Sequence, residues 1–361
     1  MVLLSNNNSL VKGFVTVAAI FIIFAGIKTA ANILVPFLLS IFIAIICNPL
    51  IKKASDYNIP KAISVITVIA IFVVLALSLT GLVGQSLNEL SQHIPHYREQ
   101  LKQQFVWLTE FFSRYDIHLS IDIFTEYFDP AAAMGLAADM LSGFGSVMAN
   151  LFLIILTVVF MLFEASSFPN KIHFALDDPQ MRLKQIERFL SSVNNYIAIK
   201  TLVSIATGCI VSSMLWAFGL DFFLLWGVLA FLLNYIPNIG SIIAAVPAVT
   251  LAILQLGIPE AGLIGLGYIM INMVMGNIIE PRYLGKGLGL STLVVFLSLI
   301  FWGWLLGTVG MLLSVPLTMI LKIGLENSPE GRWLAVLLSD EQEVDEKAKQ
   351  AEALLIGSES S

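Results

Sequence analysis

The chain has 361 residues, 58% of them hydrophobic and only 12% charged, with a formal net charge of −6. A water-soluble domain covers its surface with roughly 25% charged residues, so the composition excludes a soluble globule, and with no basic patch no nucleic acid partner is expected. No Lys or Arg occurs between Lys200 and Arg282, and such a stretch belongs in lipid as internally paired helices, its continuous apolar runs being unlike the alternation of a membrane β-barrel.

The first apolar run extends from Phe14 to about Leu50, broken by Lys28, Asn32 and Pro36. At about 1.5 Å per residue it is too long for one crossing of a core about 30 Å thick. A hairpin turning at Lys28–Asn32 is expected, with Lys28 snorkelling to the interface. The run reads as a retained first helix and not as a cleaved leader. Lys52, Lys53 and Lys61 place the following loop in the cytoplasm. A third helix is expected from Ala62 to about Val83.

The segment 85–142 is polar enough to leave the membrane on the exterior side. In it Leu90, Ile94, Tyr97, Leu101, Phe105, Leu108 and Phe112 recur at steps of three and four, one apolar helical face. Asp129-Pro130 reads as an N-cap with a first-turn proline. His93 and His96 lack a third ligand and read as solvated, so no metal site is expected. Cys47 and Cys209 sit in apolar runs as inert thiols.

A fourth helix returns the chain over about 144–163. The stretch 165–200 carries Lys171, Arg182, Lys184, Arg188 and Lys200 and reads as cytoplasmic. Its stripe Ile186, Phe189, Leu190, Val193 and Ile197 suits a helix lying along the inner membrane surface. From Thr201 a fifth helix begins, with Ser204, Gly208 and Ser212 forming a small-residue packing face.

Two irregular stretches follow inside the apolar region. Asn234-Tyr235-Ile236-Pro237-Asn238-Ile239-Gly240-Ser241 sets amides, a proline and a glycine between apolar runs. Proline removes a backbone donor, and lipid cannot satisfy the groups that a broken helix frees. A second break is expected at Gly276–Gly289, where Glu280, Arg282 and Lys286 end the interval without cations. The last apolar run, Leu290 to about Ile323, should fold as a hairpin near Gly307–Gly310. Broken helices of this kind point to solute sites in transporters.

Pro237-Asn238-Ile239-Gly240-Ser241 with Pro247, and Asn277-Ile278-Ile279-Glu280-Pro281-Arg282 with Gly285-Lys286-Gly287-Leu288-Gly289-Leu290-Ser291, resemble the autoinducer-2 exporter family. The similarity extends over nearly the whole chain. It implies an all-α inner-membrane bundle of about eight helices that exports autoinducer-2, a small polar quorum-sensing signal.

The chain is therefore expected to divide into transmembrane helices over 1–84, an exterior helical segment over 85–142 and a fourth span over 143–164. A cytoplasmic amphipathic helix over 165–200, a bundle with broken helices over 201–326 and an acidic cytoplasmic tail over 327–361 complete it. Both termini are expected in the cytoplasm, with a lipid bilayer, a small solute and further copies of the chain as partners, and with no cofactor and no enzymatic activity.

Asn234, Pro237, Asn238, Gly240, Ser241, Asn272 and Asn277 are the candidates for binding or gating the solute, because amides and hydroxyls replace its water at small desolvation cost. Glu280 could couple transport to protons, with Arg282 pairing with it or gating the inner side. Sodium/proton antiport is the alternative, and a membrane scaffold without transport the second.

Overall fold

The computed structural model describes residues 3–113, 135, 149–165, 167, 171, 179–237, 239–284, 289–326, 328, 330–341 and 345. Every regular element among them is helical. Among the described residues five helices are long and apolar enough to cross a bilayer, and four more are apolar but shorter. The expectation of an all-α polytopic bundle therefore holds.

Helices α1 (Leu3–Thr29) and α2 (Ala31–Asp56) meet at one residue, Ala30, with φ −84° and ψ 2°. That joint is tighter than the expected turn. Lys28 lies exposed beside it, its Nζ 4.4 Å from the centre of the Trp304 ring. Proline is tolerated inside α2 at Pro36, whose carbonyl accepts the Ser40 hydroxyl at 2.7 Å.

Helix α3 (Lys61–Ser113) does not stop near Val83. Its 53 residues run about 80 Å, far beyond a core about 30 Å thick. The segment expected outside the membrane thus begins as an unbroken continuation of the third helix. Leu90 and Tyr97 from its apolar stripe are buried, while Asp129-Pro130 lies outside the described residues. Helix α4 (Leu151–Glu164) packs Ile154, Val158 and Leu162 against Cys47, Ile51, Val65 and Ile69 of α2 and α3. Lys61 Nζ donates to the Phe163 carbonyl at 2.9 Å, so α3 begins and α4 ends at the same end of the bundle, the lysine-rich end.

Helix α5 (Pro179–Ala217) corrects a second expectation. The stripe expected on the membrane surface and the fifth span are one uninterrupted helix. The reason is local: after Pro179 no glycine or proline occurs before Gly208, so nothing ends the helix at residue 200. Val193 and Ile197 of that stripe are buried against α2 and the C-terminal helices.

Helices α6 (Phe223–Leu233) and α7 (Gly240–Gln255) form a hairpin. The eleven residues of α6 cover only about 16 Å, half of a hydrocarbon core. Both outer ends of the hairpin are tied to the α5 terminus. Gln255 accepts from the Asp221 backbone N–H at 2.9 Å and donates to the Gly219 carbonyl at 3.1 Å. The hairpin therefore enters from the end opposite the lysine-rich one and turns within the bundle.

Helix α8 (Ile258–Val274) passes without a break into a π-helical turn, Met275–Ile279, and then α9 (Glu280–Leu284). The break expected at Gly276 is thus a widening of one turn, with the Glu280 N–H bonding to the Met275 carbonyl. Residues 285–288 lie outside the described set.

Helix α10 (Thr292–Leu312) is interrupted at Gly307, whose φ of 70° and ψ of −153° no side-chain-bearing residue adopts without strain. A Cβ on Gly310 would lie 2.0 Å from the Trp302 carbonyl, and Trp302 Nε1 donates to Thr318 of α11 (Ser314–Glu326) at 3.0 Å. The expected hairpin at Gly307–Gly310 is present. Its base is held by Lys322, buried and donating to the Gly289 carbonyl, and by α12 (Arg332–Leu338), whose Leu338 carbonyl accepts from Ser291 N–H at 3.1 Å.

Candidate functional site: a polar seam along α5

The hairpin α6–α7 sits against the small-residue face of α5. A Cβ on Gly208 would come within 2.8 Å of the Gly227 carbonyl, and one on Gly227 within 1.7 Å of Ser212 Oγ. The two backbones touch because neither carries a side chain there. This close approach brings the hairpin turn onto α5 at Ser204. Asn234 Nδ2 donates to Ser204 Oγ at 2.9 Å, and Tyr235 Oη donates to Thr201 Oγ1 at 2.7 Å. Ser204 is 13 residues from the end of α5 at Ala217, or about 20 Å along the helix. The turn thus lies deep within the span, where each freed polar group needs a protein partner or a polar cavity.

The turn's sequence explains its shape. Pro237 cannot extend α6, and its carbonyl accepts the Ile239 N–H at 2.7 Å. A Cβ on Gly240, which opens α7, would lie 1.8 Å from the Leu233 carbonyl. No other residue fits. Asn238 lies outside the described residues.

Ser241 and Asn272, from α7 and α8, meet at a cavity also lined by Thr207, Val211, Ala230, Tyr268 and Ile271. Its free space of about 10 Å³ takes roughly one water molecule. Tyr268 is only 5% exposed, and its buried hydroxyl has no hydrogen-bond partner among the described residues.

One α5 turn from Ser204, on the side of the lysine-rich end, Lys200 Nζ reaches both carboxylate oxygens of Glu280, at 2.7 and 2.8 Å. The side chains are 4% and 16% exposed. Glu280 thus pairs with Lys200 and not with Arg282, the first of the two roles expected of Arg282, and Lys200 is buried in the seam. The π turn sets the register that aims Glu280 at α5. Arg282 and Asn277 are exposed and do not join the seam. Tyr196, buried one turn before Lys200, lies close to both Glu280 and Tyr235.

Lys200, Thr201, Ser204, Tyr235 and Tyr268 are thus seam residues that sequence reasoning left out of the site. A signal for Lys200 existed: it extends the spacing of Ser204, Gly208 and Ser212 by one step of four, onto the same helix face.

At the opposite end of the hairpin, Ser86, Glu89 and His93 of α3 face residues 221–224 across an open cleft of about 390 Å³. Tyr97 Oη donates to Asp221 Oδ2 at 2.8 Å, and Trp226 Nε1 donates to the Asp221 carbonyl at 3.1 Å. Burial, and then the Asp221 carboxylate beside it, push the Tyr97 phenol well above its ordinary range. Phe222 takes a left-handed φ of 57° there. Among the described residues no group of three or more His, Cys, Asp or Glu side chains could hold a metal ion.

Residues 15–330 match the model of the AI-2E family transporter. The chain is 46% identical over 319 residues to the AI-2 transport protein TqsA of Escherichia coli, covering 88% of this chain and 93% of that one. It is 45% identical over 343 residues to a Haemophilus influenzae protein, covering 93% of this chain and 99% of that one, whose name assigns it to transport without a solute. A Borreliella burgdorferi protein named in the same way is 30% identical over 322 residues, 87% of this chain and 86% of that one.

Proposed function

This chain belongs to the AI-2E family of transporters, and from that premise we propose that it exports autoinducer-2, a small polar signal, by secondary transport across the bacterial inner membrane. The observation that carries the reading is the α6–α7 hairpin, whose turn places Asn234 and Tyr235 on Ser204 and Thr201 deep in the span. Discontinuous helices meeting near the middle of the bilayer are where secondary transporters hold their solutes. A relative 46% identical is named for AI-2 transport, which supports the choice of solute.

In this reading Asn234, Ser241 and Asn272 offer the solute hydrogen bonds from the seam and its cavity, and Pro237, Asn238 and Gly240 shape the turn that presents them. Asn277 and Arg282, exposed on the π turn and α9, serve at most the inner approach. The positive-inside rule puts Lys52, Lys53 and Lys61 in the cytoplasm, so the hairpin enters from the exterior and the Glu89–His93–Asp221 cleft faces outward. Both termini then lie in the cytoplasm. Sodium/proton antiport is the weaker reading, because Lys200 already occupies the position in which Glu280 would hold a metal cation.

The test is flux of autoinducer-2 from vesicles carrying the purified protein. Wild type is expected to release it well above protein-free vesicles, and Asn234→Leu to cut the rate at least tenfold. Release no faster than from empty vesicles removes the reading.

A further inference from the structure

We infer that the Lys200–Glu280 pair is the proton-binding site of this transporter, and that protonation of Glu280 opens the inner end of the seam. The inference rests on the transport reading. Lys200 lies in the apolar span Leu190–Ala217 and Glu280 in Ile258–Tyr283. Ionisable side chains at such positions are costly to keep and mark ion pathways and proton relays. The pair stands one α5 turn inward of the Asn234–Ser204 bond and next to the Tyr235–Thr201 bond. It therefore closes the seam between the hairpin turn and the cytoplasmic end.

The closure is charge-balanced only while Glu280 is ionised. A proton from water that bonds to one carboxylate oxygen removes the negative charge and leaves the Lys200 ammonium buried without its counter-ion. Neutralising one member of a buried pair is strongly destabilising, whereas removing both charges together is tolerated. The protonated pair cannot stay in this geometry. Either the ammonium releases its own proton to water, or α5 and α9 part until water reaches it.

The chain has a place where that parting can occur. Glu280 follows the π turn Met275–Ile279, which holds one residue more than an α-helical path would. Relaxing that turn to α geometry would swing Glu280 by about 100° around the helix axis, away from Lys200. The groups that face Glu280 are Lys200 and Tyr196 from α5, with Tyr235 of the hairpin turn close to Tyr196. On its own helix, the neighbouring Arg282 and Tyr283 are exposed.

The experiment compares wild type, Glu280→Gln and the double variant Lys200→Met/Glu280→Gln, each purified and placed in lipid vesicles. Infrared difference spectra between acidic and alkaline buffers read proton uptake without any solute. A protonated-carboxyl band that wild type gains and Glu280→Gln lacks is expected. Its absence from wild type overturns the inference. With autoinducer-2 as the solute, an imposed pH gradient should drive accumulation in wild type and at least tenfold less in the double variant. Exchange at equal concentrations and equal pH, measured on the same vesicles, gives the rate to which each variant's accumulation is normalised. A double variant that accumulates as wild type does reduces the pair to a structural contact. No exchange by wild type counts against the transport reading, and the infrared result still decides the proton site.

Discussion

At the scale of single residues the seam holds one group whose removal separates function from folding. The Tyr268 hydroxyl is buried without a partner among the described residues, and such a group lowers stability by about 1 to 3 kcal/mol against an apolar replacement of the same shape. Tyr268→Phe should therefore leave the thermal midpoint unchanged or raise it. If the hydroxyl serves a solute passing Ser241 and Asn272, autoinducer-2 flux falls in the same variant. A stabler protein with wild-type flux would make Tyr268 a packing residue only. Lys200→Met alone is a contrasting case. It strands the Glu280 carboxylate in a buried site and is expected to cost about 3 to 5 kcal/mol, most of it regained on adding Glu280→Gln.

The same scale shows what the sequence made legible. Asn234, Pro237 and Gly240 stand out because amides, proline and glycine in an apolar run contradict a helix in lipid. Glu280 stands out as one of three acids in the long interval without cations. Its partner did not, because Lys200 and Glu280 are 80 residues apart and Lys200 closes a run of basic residues that reads as a solvated face. Tyr268 gave no signal at all. A tyrosine in an apolar helix is ordinary, and only the packing around it reveals an unbonded hydroxyl.

At the scale of elements, glycine placement decides where backbones touch and where they turn. Gly227 faces Ser212 and the Gly208 carbonyl, so Gly227→Ala must push α6 off α5. Overpacking of this kind costs about 1 to 3 kcal/mol, and the shift should also loosen the Asn234–Ser204 bond at the turn. Gly262 on α8 has open space around it, and Gly262→Ala should be neutral or stabilising by about 0.5 to 1 kcal/mol. Thermal unfolding of the two variants in detergent checks the pair. Equal midpoints would mean that α6 can retreat without strain. Element ends were less legible than their contents. Composition changes at residues 84 and 200, yet α3 and α5 run through both, because a helix ends on backbone chemistry and not on a change of solvent.

For the whole molecule, the central question is whether α6 and α7 cross the bilayer or turn back within it. Their lengths, and the clasp of Gln255 on Asp221 and Gly219, favour a turn inside. The two alternatives place Pro237 differently. If the pair crossed, Pro237 would reach cytoplasmic water; if it turns back, it stays about halfway through the core. Single cysteines introduced into a chain lacking Cys47 and Cys209 distinguish these outcomes with a membrane-impermeant maleimide. Glu260→Cys should react in intact cells and Asn58→Cys only after the membrane is opened. Pro237→Cys should react much more slowly than either from either side. Fast labelling of Pro237→Cys from the cytoplasm would make α6 and α7 a crossing pair and move the solute site away from the turn.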